Sequence, residues 1–577
     1  TLPDPDTGQR GTGIVHCVSA VIDRTQGSNL NLNFNGPNAT TPNNPAQIWA
    51  NNNYDRGHTV DDNDFEQDDL SPKEVANSHL VPDCQYTVNG QPAIPCTRDL
   101  EDYFRLWLPG VAAAMKAMPA NYTVRLILSG DAQIRLFQAV EPDGDTNYLF
   151  DETTASNQVA NAASLYVGWL TSSSPIVFNV TTNFNEHFIF CGAQTGSAKI
   201  DLLVLDENQN VLADAPVYLQ IEDIKQMYER WTVGESVTAP PLDAPTWQVD
   251  DTPFRYSTNV DETTPYILLV HGWNMETWEK DRYAETAYKR LYWQGYKGRF
   301  GFFRWPTGNK ISDTMDAVLH ARNYDNSEFQ AWKSATGLTN LLTRLNAEYP
   351  GNVYLMAHSM GNVVAGEALR KASSQLVNTY IAMQGAVPAH AYDPNTPARA
   401  IVPNSFGLGQ DDHTPNRYAH YYTDSSPSYF SSSAGAGAYV NFYNTNDYAL
   451  SAPLWQFDQN LKPDGGLNYP GYFYSSASGF YRINGSITTY LNFPADTYEI
   501  FAYCDEARCY ALGAEAGITT FTRKLDLHSV WVNDPLEDDP NKKFSAHFWH
   551  SGEFRGDYPQ QENFWKAILG GIGFNLK

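Results

Sequence analysis

Val353-Tyr-Leu-Met-Ala-His-Ser-Met-Gly361 is the stretch on which the reading of this chain turns. An apolar run enters Ala357-His358-Ser359-Met360-Gly361, and a helix-forming stretch over 362–372 follows at once. A strand that turns sharply into a helix pushes the side chain at its apex into the open. Strand and helix can then approach only if the residues two before and two after the apex are small. Ala357 and Gly361 meet that need, Ala being the smallest side chain after Gly. The amides opening the helix would face any negative charge that develops beside the apex. Ser359 is therefore the candidate nucleophile.

Working outward, strand-like and helical patterns alternate. The runs 266–270 (YILLV), 299–303, 353–356, 379–383 and 439–443 read as strands, and 276–293, 328–349 and 362–372 as amphipathic helices. Such alternation predicts a doubly wound, mostly parallel sheet over 265–577. Residues 1–238 read differently, as short strands between Gly, Pro, Asn and Asp turns, for example 122–128, 134–137, 176–180 and 199–205. Apolar and polar positions alternate there, which predicts an all-β sandwich of one or two sub-domains, closed by a helix over 221–231. Scattered prolines make 239–264 a linker. Two Tyr-, Ser-, Gly- and Pro-rich insertions, 389–437 and 456–498, break the β/α rhythm, and a cap or lid over the site is expected from at least one.

The remaining chemistry follows from chain order: nucleophile, then acid, then base. Asp447 sits in a polar turn after the strand 439–443 and is the preferred acid, with Asp393 and Asp424 as rivals; an Asp there would also cap an Asx turn. Near the C-terminus, Ser545-Ala-His547-Phe-Trp-His550-Ser-Gly offers two bases, and His528 is a third. His550 is preferred because the following Ser-Gly suits a loop that lets the ring reach Ser359. Upstream, 266–270 runs into His271-Gly272-Trp273. There a backbone N–H near Trp273 would join that of Met360 in an oxyanion hole. An isolated His-Gly pair more often does no more than turn a chain.

Residues 265–577 resemble the α/β-hydrolase superfamily in its lipase and esterase branch. The elbow Ala357-His358-Ser359-Met360-Gly361 is similar to that of small bacterial lipases with Ala in the first Gly position. The resemblance implies acyl transfer through Ser359, His550 and Asp447, without an organic cofactor, and leaves the substrate open. A serine hydrolase of carboxylic esters is expected. The alternatives are a peptidase of the same fold and a binding or scaffold protein with a vestigial hydrolase domain.

A second resemblance covers less of the chain. Asn51, Asp55, Asp61 and Asp64, followed by Asp99-Leu-Glu-Asp102, resemble the calcium-binding immunoglobulin-like middle domain of peptidylarginine deiminases. It implies a structural Ca²⁺ held by Asn51, Asp55, Asp61, Asp64, Asp99 and Asp102. Asn53 stands where that pattern has an acid. Crowded acids repel unless solvated or bridged, and hard oxygens without Cys or His suit Ca²⁺ over Zn²⁺.

Charge and composition bound the partners. Lys+Arg total 38 against Asp+Glu 65, a net charge of −27, which disfavours nucleic acid or an anionic membrane surface. Hydrophobic content of 42% supports packed interiors, and no apolar run is long enough to span a bilayer. The chain opens at Thr1, which suggests a processed, secreted protein. Six cysteines in that setting predict disulfides, with Cys84–Cys96, Cys504–Cys509 and Cys17–Cys191 as the plausible pairs.

Overall fold

The computed structural model describes most of residues 96–141, 147–179, 185–234, 265–307, 317–392, 434–450, 512–527 and 554–572. It also describes His550 and several short stretches, among them 45–51 and 248–249. Among its described residues, the N-terminal half has three two-stranded sheets and is dominated by two larger ones. One has four antiparallel strands in the order Tyr166–Leu170 (β5), Gln133–Gln138 (β4), His187–Gln194 (β7) and Phe104–Trp107 (β2). The other runs Ile176–Asn179 (β6), Thr123–Gly130 (β3), Gly196–Leu205 (β8), Val211–Asp223 (β9) and Ala46–Ala50 (β1). It is antiparallel except for its last pair. The period-2 pattern is plain in β3, where Val124, Leu126 and Leu128 are buried and the residues between them are partly exposed. The region is not purely β, because short helices fall at Val111–Lys116, Asn147–Phe150, Glu152–Ala160 and Ala162–Leu165.

The C-terminal part is built on eight strands. Their order is Gln248–Val249 (β11), Glu229–Thr232 (β10), Arg299–Arg304 (β13), Tyr266–Val270 (β12), Val353–His358 (β14), Val377–Met383 (β15), Ala436–Tyr443 (β16) and Arg523–Asp526 (β17). All neighbours are parallel except β10 and β11. Burial on both faces explains the unbroken apolar run of β12, since Ile267 and Leu269 pack on one side while Tyr266, Leu268 and Val270 pack on the other. Thr277–Trp293 (α1) and Tyr558–Gly571 (α4) cover the first face, Ala317–Glu348 (α2) and Gly361–Arg370 (α3) the second. The chain steps from β12 to β13 on one side and to β14 on the other. Strand order therefore reverses beside β12, and in open α/β sheets ligands bind at the carboxyl ends of strands at such a point.

The expected helix over 221–231 is absent. Its residues complete β9, make a 3-10 turn at Ile224–Gln226 and continue as β10. The spacing of Ile221, Ile224, Tyr228 and Trp231 imitates a helical stripe, yet Ile221 and Tyr228 belong to the first core and Trp231 to the second. A domain boundary at 238 therefore cuts through the eight-stranded sheet, which takes β10 from the sandwich side of the Pro-rich stretch and β11 from within it. The sandwich and the α1 side of the large sheet share one continuous core.

At that seam α1 buries charge. Lys289 Nζ lies 3.0 Å from Asp102 Oδ1, and Arg290 Nε lies 3.0 Å from Glu101 Oε1. Trp293 Nε1 donates to the Glu101 carbonyl at 2.8 Å. The expected Cys17–Cys191 bridge is not formed. Cys191 is a free thiol in the middle of β7, buried in the sandwich core, while Cys17, Cys84, Cys504 and Cys509 lie outside the described residues. Among the described residues no helix is long and apolar enough to cross a membrane.

Candidate active site

Ser359 stands at the C-terminal end of β14 with φ +51°, a left-handed setting that is strained for a residue with a Cβ. Such strain, of about 1–3 kcal/mol, persists only where the surroundings over-determine it. Here they do. The Ser359 amide donates to Met383 O at 3.0 Å, and its carbonyl accepts from Asn362 N at 3.1 Å and Ala386 N at 3.0 Å. Asn362 Nδ2 donates to Ala357 O at 3.0 Å and to Ser359 O at 2.9 Å. Gly361 fits because no Cβ could sit between α3 and the carbonyls of Val270 and His271.

His550 closes the constellation. Its Nε2 lies 2.7 Å from Ser359 Oγ and its Nδ1 lies 2.7 Å from Asp447 Oδ2. Nδ1–H therefore faces the carboxylate, and Nε2 is left to accept from the hydroxyl. Asp447 is fully buried. Its Oδ1 accepts from the Leu450 amide at 3.1 Å and its Oδ2 also accepts from Gln384 Nε2 at 2.9 Å. The turn-capping role and the pairing with His550 thus coexist in one side chain. The rivals Asp393, Asp424, His528 and His547 lie outside the described residues.

The loop after β12 borders the nucleophile. A Cβ on Gly272 would come within 3.0 Å of Ser359 Cβ and 3.1 Å of His358 Nδ1, so any larger residue would crowd the nucleophile and its neighbour. Met360, buried, caps α3, and among the described residues its amide donates to no main-chain carbonyl. Trp273 is half-buried against the second core. The site region thus holds both segments expected of an oxyanion hole. His271 beside them is packed rather than reactive. Burial, with Lys280 nearby, pushes its pKa well below the usual imidazole range. It donates from Nδ1 to Gly272 O at 2.8 Å, accepts the Trp305 amide on Nε2 at 3.1 Å, and stacks on the Trp305 ring.

Two neighbours were missed from sequence. His358 Nε2 donates to the His550 carbonyl at 2.8 Å, fastening the base loop to the elbow. Gln384 contacts the acid. The position of His358 inside the elbow was a usable signal, whereas nothing local distinguished Gln384.

The calcium set is brought together only in part. Asp102 accepts from Trp49 Nε1 at 2.8 Å and Lys289 Nζ at 3.0 Å on Oδ1, and from Asn51 Nδ2 at 3.1 Å on Oδ2. An ammonium already faces the Asp102 carboxylate, whereas Asn51 Oδ1 is buried without a hydrogen-bond partner among the described residues. Asp99 ends the short strand Cys96–Asp99, and Asp55, Asp61 and Asp64 lie outside the described residues.

A family described as "Alpha/beta hydrolase of unknown function (DUF900)" matches residues 252–387, which include the Gly272 loop, the Ser359 elbow and Gln384. The chain carries an α/β-hydrolase domain. Asp447 and His550 lie beyond that match, on later parts of the hydrolase domain. No curated protein sequence matches the chain. Among solved structures, an acylaminoacyl peptidase of Pyrococcus horikoshii shares 13% identity over 57% of this chain and 38% of its own, with a TM-score of 0.23. A mature lipase of Bacillus licheniformis shares 15% over 33% of this chain and 69% of its own, TM-score 0.17. Prolyl oligopeptidase B of Galerina marginata shares 11% over 65% and 43%, TM-score 0.25. The chain thus spans about two fifths of the length of either peptidase. At these scores none of the three bears on what the hydrolase domain acts upon.

Proposed function

We propose that this protein is a serine hydrolase that cleaves carboxylic esters through an acyl-enzyme. The observation that carries the reading is the continuous hydrogen-bonded series Ser359–His550–Asp447, 2.7 Å at each step, with its serine on a strained strand-to-helix turn. Ser359 Oγ attacks the ester carbonyl while His550 Nε2 takes its proton. Asp447 holds the opposite N–H and stabilises the imidazolium that forms. His550 then protonates the leaving alcohol, and water repeats the sequence to release the acid and restore Ser359. The Met360 amide and one from the 272–273 loop are the proposed donors to the tetrahedral oxyanion. One of the insertions 389–437 and 456–498 is proposed to overhang Ser359 and select the acyl or alcohol group.

The test combines a fluorophosphonate label with ester and anilide panels. Wild-type protein should be labelled, Ser359→Ala should not, and p-nitrophenyl esters should turn over in preference to p-nitroanilides. Faster turnover of anilides would make the protein a peptidase. A wild-type chain that takes no label and turns over neither series would be a scaffold.

A further inference from the structure

We infer that Gln384 is a positioning residue of the triad, whose amide holds the Asp447 carboxylate in the orientation that faces His550. This rests on the proposed function. Gln384 follows β15 and is fully buried. Its Nε2 donates at 2.9 Å to Asp447 Oδ2, the same oxygen that takes His550 Nδ1–H at 2.7 Å. The Leu450 amide meets the other oxygen at 3.1 Å. With donors on both oxygens, rotation of the carboxylate away from His550 would leave buried donors without acceptors, which is costly.

The backbone gives an independent argument. Gln384 has φ +42°, one of three described non-glycine residues with positive φ, beside Gln209 and Ser359. Gln209 lies in an exposed turn between β8 and β9; Ser359 is the triad nucleophile, and Gln384 adjoins the triad. A glycine at 384 would relieve the strain, and the next residue is itself a glycine. A side chain is kept where the backbone disfavours one. The surroundings enforce this setting. Gln384 N donates to Phe442 O at 2.8 Å, and Gly513, in a 3-10 turn, packs so closely on the Gln384 backbone that no Cβ would fit there. Gly513 also donates to Gly385 O at 3.0 Å and accepts from Asn444 N at 2.7 Å, tying the ends of β15 and β16 together beneath Asp447. Ala386, two residues on, donates to the Ser359 carbonyl. One segment therefore fixes the nucleophile's turn and the acid's orientation together.

If Gln384 merely filled space, an isosteric apolar side chain would serve as well. Gln384→Met should instead lower kcat by roughly 10- to 100-fold, as loss of a bond that orients a functional group does, with KM and the melting temperature little changed. Gln384→Glu sets a second carboxyl against Asp447. The pair must share a proton, so the alkaline limb of the pH–rate profile should move to lower pH, while the acid limb, where the His550 base is protonated, remains. Rates are normalised to folded protein. A Met variant with wild-type kcat, or a Glu variant with the wild-type pH profile, overturns the inference. The two failures separate cleanly. A wild-type chain that takes no fluorophosphonate removes the proposed function and the inference with it. A labelled wild type matched by an equally active Gln384→Met removes the inference alone.

Discussion

Asp447 and Asp102 are both buried carboxylates with a nitrogen partner at hydrogen-bond distance, 2.7 Å for His550 and 3.0 Å for Lys289. Asp447 lies at the carboxyl edge of the large sheet, Asp102 at the seam between the sandwich and α1. The partner of Asp102 is an ammonium with no exposure, and Trp49 and Asn51 also donate to the carboxylate. The partner of Asp447 is an imidazole that retains 14% exposure and reaches a serine hydroxyl with its second nitrogen. Burial and pairing are common to both. A transferable proton, a nucleophile and access to solvent belong only to Asp447, and those three features mark a reacting site.

The contrast can be tested by breaking each end. The largest effect should come from His550→Ala, with kcat lowered on the order of 10⁶-fold and the melting temperature little changed. Retention of a tenth of the activity would return the base role to His547 or His528. Asp447→Asn should follow, at about 10⁴-fold, because the amide permits the wrong imidazole tautomer. A drop confined to KM would show that Asp447 shapes binding instead.

At the seam the readout changes from rate to stability. Lys289→Met strands the buried Asp102 carboxylate and should destabilise by about 3–5 kcal/mol, with kcat per folded molecule unchanged. The double variant Lys289→Met with Asp102→Leu should recover most of that loss, since a buried pair replaced by apolar residues is often neutral. Failure of the double variant to recover would mean that Trp49 and Asn51 depend on the carboxylate itself. The smallest effect concerns calcium, which we propose is bound by Asn51 and the acids at 55, 61, 64 and 99 without Asp102. Chelation should lower the melting temperature by the equivalent of about 2.7 kcal/mol where free Ca²⁺ stands at a hundredfold excess over Kd. Asp102→Asn should leave that shift intact. A melt indifferent to EDTA removes the metal.

Much of the hydrolase domain was legible because its signals are local. The strand expected at 266–270 is β12 to the residue, and the helix expected over 276–293 begins one residue later. Other elements are longer than their patterns suggested: α2 starts at Ala317 rather than 328, since its first turns carry polar residues that hide the period. The stretch 221–231 misled for the opposite reason, its apolar spacing being compatible with a helix and with two strands that serve different cores. Cysteine count alone could not tell a bridge from the buried thiol of Cys191.

By itself the sequence determined the elbow and the order of the reacting groups. Small residues flanking Ser359 and a polar turn after a strand at Asp447 are requirements of backbone geometry, written within a few residues of the groups concerned. Only the tertiary structure decided the rest. Gln384 lies 63 residues from Asp447, and Lys289 lies 187 residues from Asp102. No local pattern encodes such partners, because each becomes the other's hydrogen-bond acceptor or counter-charge only when distant strands and helices pack and exclude the water that would otherwise serve both.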